Sequence, residues 1–105
     1  MIVVTGGAGF IGSAIVWKLN ELGQNKIVIV DELGTDDKWK NLVPLKFEDF
    51  IYKDDFISMI IARDIPFEIT AIIHMGANSS TTEKDADHLF SNNYLYTQEL
   101  AKYCL

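Results

Sequence analysis

Three glycines at a spacing of three, Gly6, Gly9 and Gly12, follow directly on the apolar run from Met1 to Val4. The chemistry that this spacing suits is the grip on a diphosphate. Gly6 allows a sharp turn off a strand. Gly9 lets a pyrophosphate approach the backbone without meeting a Cβ, and Gly12 lets the next helix pack close to the strand. That helix is expected at once, because the residues from Ser13 to Leu19 place apolar side chains at helical intervals. Its N-terminus would offer N–H groups and a partial positive charge to phosphates. Asp31 lies about 20 residues past the turn, where an acid can accept hydrogen bonds from an adenosine ribose. It could also cap the turn that follows. The same glycines could merely connect two elements, but the strand, the helix and the acid agree on a dinucleotide. They are silent on the reaction.

Other polar residues are open to two readings each. Lys38 and Lys40 are the cations close behind Asp31. Lys38 could neutralise a 2′-phosphate on the ribose, or be a solvated lysine. Lys53 could contact the cofactor or sit on the surface at a helix start. His74 ends an apolar run and could be catalytic, though a hydrogen-bonded core histidine is the commoner case. Met75, Gly76, Ala77, Asn78 and Ser79 begin a loop of small residues, which lets a ligand lie close to the backbone. Ser79 to Thr82 could hold a substrate phosphate or cap the next helix, with Glu83 completing a capping pattern. Asn92 and Asn93 are poor helix formers inside a helical stretch, and either could face the cofactor or solvent. No metal-ligating set is read.

The elements that must position these residues follow from the apolar pattern. Met1 to Val4 reads as a first strand, and Gly23 as the C-cap of the first helix. Lys26 to Val30 reads as a second strand, apolar throughout like a parallel strand buried on both faces. Glu32 to Asn41 reads as a polar loop. Leu42 to Phe47 reads as a short third strand, with Pro44 suiting an edge or a strand start. Glu48 to Phe50 would then lie at the height of an adenine ring. Asp54 to Ala62 reads as a second helix, its first-turn acids suiting the helix dipole. Ile69 to His74 reads as a fourth strand, and about Asp85 to Leu105 as a long helix. Right-handed crossovers order the strands 3-2-1-4, the first half of a doubly wound α/β sheet of Rossmann type. The half that would complete the crevice is not seen, so a fragment is expected.

Composition sets outer limits. The chain has 105 residues, of which 49 % are hydrophobic, enough for one domain with one core. Its net charge is −6 and it has no basic run, which argues against nucleic acid and anionic membranes as partners. One cysteine, Cys104, fits a reducing compartment. No stretch approaches the ~20 apolar residues that span a bilayer, and no signal peptide is visible. A cytoplasmic protein is expected. An open fourth strand and an uncovered helix would favour self-association, so a homo-oligomer is expected.

The run Thr5-Gly6-Gly7-Ala8-Gly9-Phe10-Ile11-Gly12 with Asp31 resembles the extended short-chain dehydrogenase/reductase superfamily, which includes nucleotide-sugar epimerases and dehydratases. Within it, the chain is most similar to the epimerases of ADP-activated heptose. The closer match rests on His74 with Gly76-Ala77, on Ser79-Ser80-Thr81-Thr82-Glu83, on Asn92-Asn93-Tyr94 and on Tyr103-Cys104-Leu105. The resemblance covers the whole chain but only the N-terminal third or so of such an enzyme.

The resemblance implies an NADP-dependent isomerase, with NAD possible, that inverts a heptose carbon by transient oxidation and re-reduction. The product would serve lipopolysaccharide core synthesis. It places Phe10 and Ile11 at the pyrophosphate and Asp31 and Glu32 at the ribose. Lys38 would meet the 2′-phosphate, Lys53 a further part of the cofactor, and Met75 to Ser79 and Asn92 its flank. Glu32 stands where the family usually has a neutral Asn, and its charge should repel a 2′-phosphate. Met75 and Asn78 also depart from the commonest residues. The superfamily's catalytic Tyr-x-x-x-Lys pair does not carry over. Tyr52 is followed four on by Phe56, Tyr94 by Gln98 and Tyr96 by Leu100. The chain alone should have no turnover. A different nucleotide-sugar epimerase or dehydratase, or a non-catalytic nucleotide-binding domain, is the competing reading.

Overall fold

The computed structural model describes residues 1–33, 37–75 and 96–104, the side chains of residues 37, 38, 96 and 97 excepted. Strand β1 (Ile2–Thr5) leads into helix α1 (Phe10–Glu21) and strand β2 (Ile27–Asp31). A 3-10 segment (Asp37–Leu42) precedes strand β3 (Asp49–Tyr52) and helix α2 (Lys53–Ala62). Strand β4 (Ala71–His74) and helix α3 (Tyr96–Cys104) follow. The four strands are parallel in the order β3-β2-β1-β4, as the apolar pattern and the crossover rule require.

Alternation along each strand divides a continuous apolar run between two faces. Val3, Val28 and Val30 point to one side and pack with Phe56 and Ile60 of α2 and Leu100 of α3. Val4, Ile27 and Ile29 point to the other side and pack with Val16 of α1. All five residues of β2 are buried. Each fully buried Val, Ile or Phe contributes about 1.5–3 kcal/mol relative to exposure, so the centre of the sheet anchors the fold. Phe56 and Ile60 reach the core together because residues four apart share a helix face.

Two helices end in the same way with different residues. Gly23, at φ 85°, follows α1; its N–H donates to the Asn20 carbonyl and that of Gln24 to the Leu19 carbonyl. Arg63, at φ 52°, follows α2; its N–H donates to Ile60 and that of Asp64 to Met59. Both are Schellman ends. The second places a side chain where glycine is favoured.

The third strand differs from the expectation. It runs over Asp49–Tyr52 and not over Leu42 to Phe47. The chain turns at Leu42, whose carbonyl accepts from the Leu45 N–H at 3.0 Å. Lys46 then spends both backbone groups on one side chain of α1. Its N–H donates to Asn20 Oδ1 at 2.8 Å, and its carbonyl accepts from Asn20 Nδ2 at 2.9 Å. Ladder pairing starts with the Glu48 N–H, which donates to the Ile27 carbonyl at 2.8 Å. Leu42, Leu45 and Phe47 are half-buried against the α1 side of the core, so their apolar pattern records burial without strand pairing. The polar stretch before them is partly 3-10 helix. Of the long C-terminal helix, Tyr96–Cys104 is described; residues 76–95 lie outside the described residues.

Candidate functional site

The register of the sheet brings Thr5, Asp31, Tyr52 and His74 to one edge, the carboxyl ends of the four strands. In open α/β sheets ligands bind in the crevice outside this edge. The glycine turn sits on it. The Gly6 N–H donates to the Val30 carbonyl at 2.7 Å, and the Gly9 N–H returns to the Gly6 carbonyl at 3.0 Å. Gly6 takes φ 70°, a left-handed conformation that gives the sharp turn off β1. A Cβ on Gly12 would lie 2.0 Å from the Gly6 carbonyl oxygen. The close approach at Gly12 is therefore to the turn itself rather than to the strand.

The start of α1 fits an anion. Gly9 is its N-cap and provides no side-chain bond, and the first turn holds no acid. The first N–H groups of a helix have no partner within it, and the helix dipole adds positive potential there. Phe10 and Ile11 open this turn and are exposed, Phe10 at 88 %.

Asp31 is buried at the end of β2, and both carboxylate oxygens accept from backbone. The Ala8 N–H donates to Oδ2 at 3.0 Å and the Glu32 N–H to Oδ1 at 2.8 Å. The acid is thus joined to the middle of the glycine turn, which the sequence spacing alone did not reveal. A carboxylate offers about four lone-pair sites, so a structural tie and a ribose contact are compatible. Asn41 completes the arrangement from the 3-10 segment. Its Nδ2 donates to the Ala8 carbonyl at 2.8 Å, so fully buried Ala8 is held at both backbone groups. Asn41 closes a polar stretch, and an amide there carries no sequence signal of a partner 33 residues away.

Glu32 and Lys53 stand one residue beyond the paired ends of β2 and β3, and Lys53 Nζ lies 3.7 Å from Glu32 Oε1. Glu48 to Phe50 is displaced from the expected height. Phe50 pairs with Ile29 inside the sheet, and Tyr52 and Lys53 occupy the carboxyl end instead. His74 shares a hydrogen bond between its Nδ1 and Thr5 Oγ1, and burial lowers its pKa below the usual 6.5. That is the behaviour of a packed, neutral imidazole. Met75 is tied to β1 by its N–H, which donates to the Thr5 carbonyl at 3.0 Å. Gly76, Ala77, Asn78, Ser79 and Asn92 lie outside the described residues, as does the side chain of Lys38.

The structure therefore brings Gly6, Gly9, Phe10, Ile11, Gly12, Asp31, Glu32, Lys53 and Met75 to one edge of one sheet. An uncapped helix start for an anion next to a carboxylate for hydroxyls is what a nucleotide diphosphate requires. Among the described residues, no group of three metal-ligating side chains comes together, and no helix is long and apolar enough to cross a membrane.

Comparison with known proteins agrees with this geometry. An ADP-L-glycero-D-manno-heptose-6-epimerase of Nitratidesulfovibrio vulgaris is 52 % identical over 105 residues, all of this chain and 32 % of that protein. One of Fusobacterium nucleatum is 51 % identical over 104 residues, 99 % of this chain and 31 % of that protein. The chain thus spans about a third of the length of these curated relatives. Among solved structures, UDP-glucose 4-epimerase of Thermotoga maritima with UDP-glucose superposes with a TM-score of 0.73 at 27 % identity, over 97 % of this chain and 33 % of that one. UDP-glucuronic acid 4-epimerase of Bacillus cereus in complex with NAD gives 0.69 at 28 %, over 98 % and 35 %. The sequence profile of the NAD dependent epimerase/dehydratase family matches residues 2–105. With the turn, the acid and the sheet order in place, the chain belongs to the NAD dependent epimerase/dehydratase family.

Proposed function

We propose that the whole protein is a nucleotide-sugar epimerase acting on an ADP-activated heptose, and that residues 1–105 are the part that holds a nicotinamide dinucleotide. The observation that carries the dinucleotide reading is the hydrogen bond from the Ala8 N–H to buried Asp31, which makes the glycine turn and the ribose acid one unit. The similarity to two heptose epimerases across all or nearly all of this chain supports the sugar. When bound, the dinucleotide supplies reversible hydride acceptance, so that a sugar carbon is oxidised and then reduced from its other face.

In this reading Gly6, Gly9, Phe10, Ile11 and Gly12 bind the diphosphate, and Asp31 and Glu32 face the ribose. Met75, Gly76, Ala77, Asn78 and Ser79 flank the cofactor, with Asn92 from the following helical stretch. Lys38 and Lys53 are the cations for a 2′-phosphate and favour NADP; Asp31 and Glu32 favour NAD. The base and its lysine lie outside this chain, which on its own has no turnover. The nucleotide sugar is met in the cytoplasm, for lipopolysaccharide heptose. The whole protein is proposed to be a homo-oligomer.

Incubating the whole protein with ADP-D-glycero-D-manno-heptose and following the sugar protons by NMR tests the proposal. Inversion at C6″ is expected. Inversion of UDP-glucose at C4, with the heptose untouched, would establish the alternative that the solved structures suggest.

A further inference from the structure

The peptide that joins Ala8 to Gly9 is held on both sides. Its carbonyl oxygen accepts from Asn41 Nδ2 at 2.8 Å, and its N–H donates to the Gly6 carbonyl at 3.0 Å. The peptide before it is held as well, by the bond from the Ala8 N–H to Asp31 Oδ2. Helix α1 starts directly behind, with Gly9 as its N-cap and the Ser13 N–H returning to the Gly9 carbonyl at 2.9 Å. The first N–H groups of the helix therefore take their direction from the Ala8–Gly9 peptide.

Gly6, Gly7 and Gly9 lack a Cβ and leave this turn a wide range of backbone torsions. Hydrogen bonds must supply the restraint that side chains do not. Asp31 supplies one on the amide of Ala8, and Asn41 supplies one on its carbonyl, reaching in from the 3-10 segment. Asn41 is an exposed residue, so water could serve its amide equally well. Ala8 is fully buried, and a buried carbonyl needs a donor. The bond thus serves the turn and not the asparagine. A turn already set in its binding shape loses little order when an anion arrives. A turn that holds that shape for only part of the time binds more weakly in proportion.

We propose that Asn41 is a positioning residue for the diphosphate, acting through the Ala8 carbonyl on the start of α1; this rests on the dinucleotide reading above. The experiment is calorimetric titration of NAD⁺ into the whole protein, freed of bound nucleotide, with Asn41→Ala and Asn41→Asp beside the unaltered form. Asn41→Ala is expected to raise the dissociation constant roughly fivefold, as for one lost hydrogen bond. Asn41→Asp keeps the shape of the side chain and loses the donor, and is expected to weaken binding at least as much. A second readout follows the peptide itself. Ala8–Gly9 is the one Ala–Gly pair in residues 1–105, so ¹³C at alanine carbonyls with ¹⁵N at glycine marks it in an NMR spectrum. Without nucleotide, the Gly9 amide is expected as one sharp signal in the unaltered protein and as a broadened or doubled one in the variants. Saturation with NAD⁺ is expected to restore the single signal. Either variant that folds decides the outcome. An unchanged dissociation constant, even with a lowered unfolding midpoint, would overturn the proposal and leave the dinucleotide reading standing. So would weakened binding with the Gly9 signal still sharp, or loss of the fold in both variants. Failure of the unaltered protein to bind NAD⁺ or NADP⁺ would overturn both.

Discussion

At Gly9 and Gly12 the same residue type answers two different demands, and substitution separates them. A Cβ at Gly12 meets the Gly6 carbonyl oxygen at 2.0 Å and the Gly6 carbonyl carbon at 2.7 Å. Both are backbone atoms that cannot swing aside. Gly12→Ala is expected to cost about 3 kcal/mol of stability, at the upper end of overpacking effects. Gly9 has φ −75° and ψ 175°, which any residue adopts, and its added Cβ would lie 3.3 Å from the Gly6 oxygen. Serine is also a good N-cap. Gly9→Ser is therefore expected to hold stability within about 1 kcal/mol while weakening dinucleotide binding. Denaturant unfolding and calorimetry on both variants check this. Loss of fold in Gly9→Ser, with binding spared, would reverse the assignment. Both glycines were legible from spacing alone. What each touches was not, because spacing does not say whether protein or ligand occupies the place of the missing Cβ.

Among the elements, the end of α2 holds two opposed effects of similar size. Arg63 sits at φ 52°, which costs a side-chain residue about 1–2 kcal/mol. Replacement by glycine removes that cost but adds about 0.5–1 kcal/mol of chain entropy. The guanidinium also lies 5.8 Å from the centroid of the Tyr103 ring on α3, a contact worth about 0.5–1 kcal/mol at an exposed site. Arg63→Gly is thus expected to be nearly neutral by itself. In a Tyr103→Leu background it is expected to stabilise by about 0.5–1 kcal/mol. Unfolding midpoints for the four proteins check this; equal effects in both backgrounds would remove the aromatic contact from the account. The strands and helices around this junction were readable from apolar period and end signals. The third strand begins later than the apolar pattern suggests because Pro44 and the flanking leucines mimic a strand, while the Asn20 side chain that diverts Lys46 belongs to another element.

For the molecule as a whole, His74 makes stability depend on pH. Burial lowers its folded pKa below 6.5. Between that lowered value and 6.5 the unfolded chain takes up a proton that the folded chain refuses. Stability present above pH 6.5 is therefore lost as pH falls through this window, and the loss levels off below the folded value. Urea midpoints at pH 7.5, 6.5 and 5.5 are expected to fall less steeply in His74→Gln than in the unaltered protein. Parallel slopes would mean that the imidazole titrates alike folded and unfolded. The sheet order, the two-faced core and the crevice edge were all legible in the sequence, since apolar runs of strand length and a crossover rule suffice for them. The links across the crevice were not, because Ala8, Asp31 and Asn41 are brought together only by the finished sheet.

Ala8, grasped at its amide by a carboxylate from one strand end and at its carbonyl by an amide from the neighbouring segment, cannot shift without disturbing both. Whatever pulls on Asp31 also strains the glycine turn, so in the proposed reading the ribose and diphosphate ends of a bound nucleotide are coupled through a single residue. A change at Asp31 consequently reaches the glycine turn as well as whatever Asp31 binds.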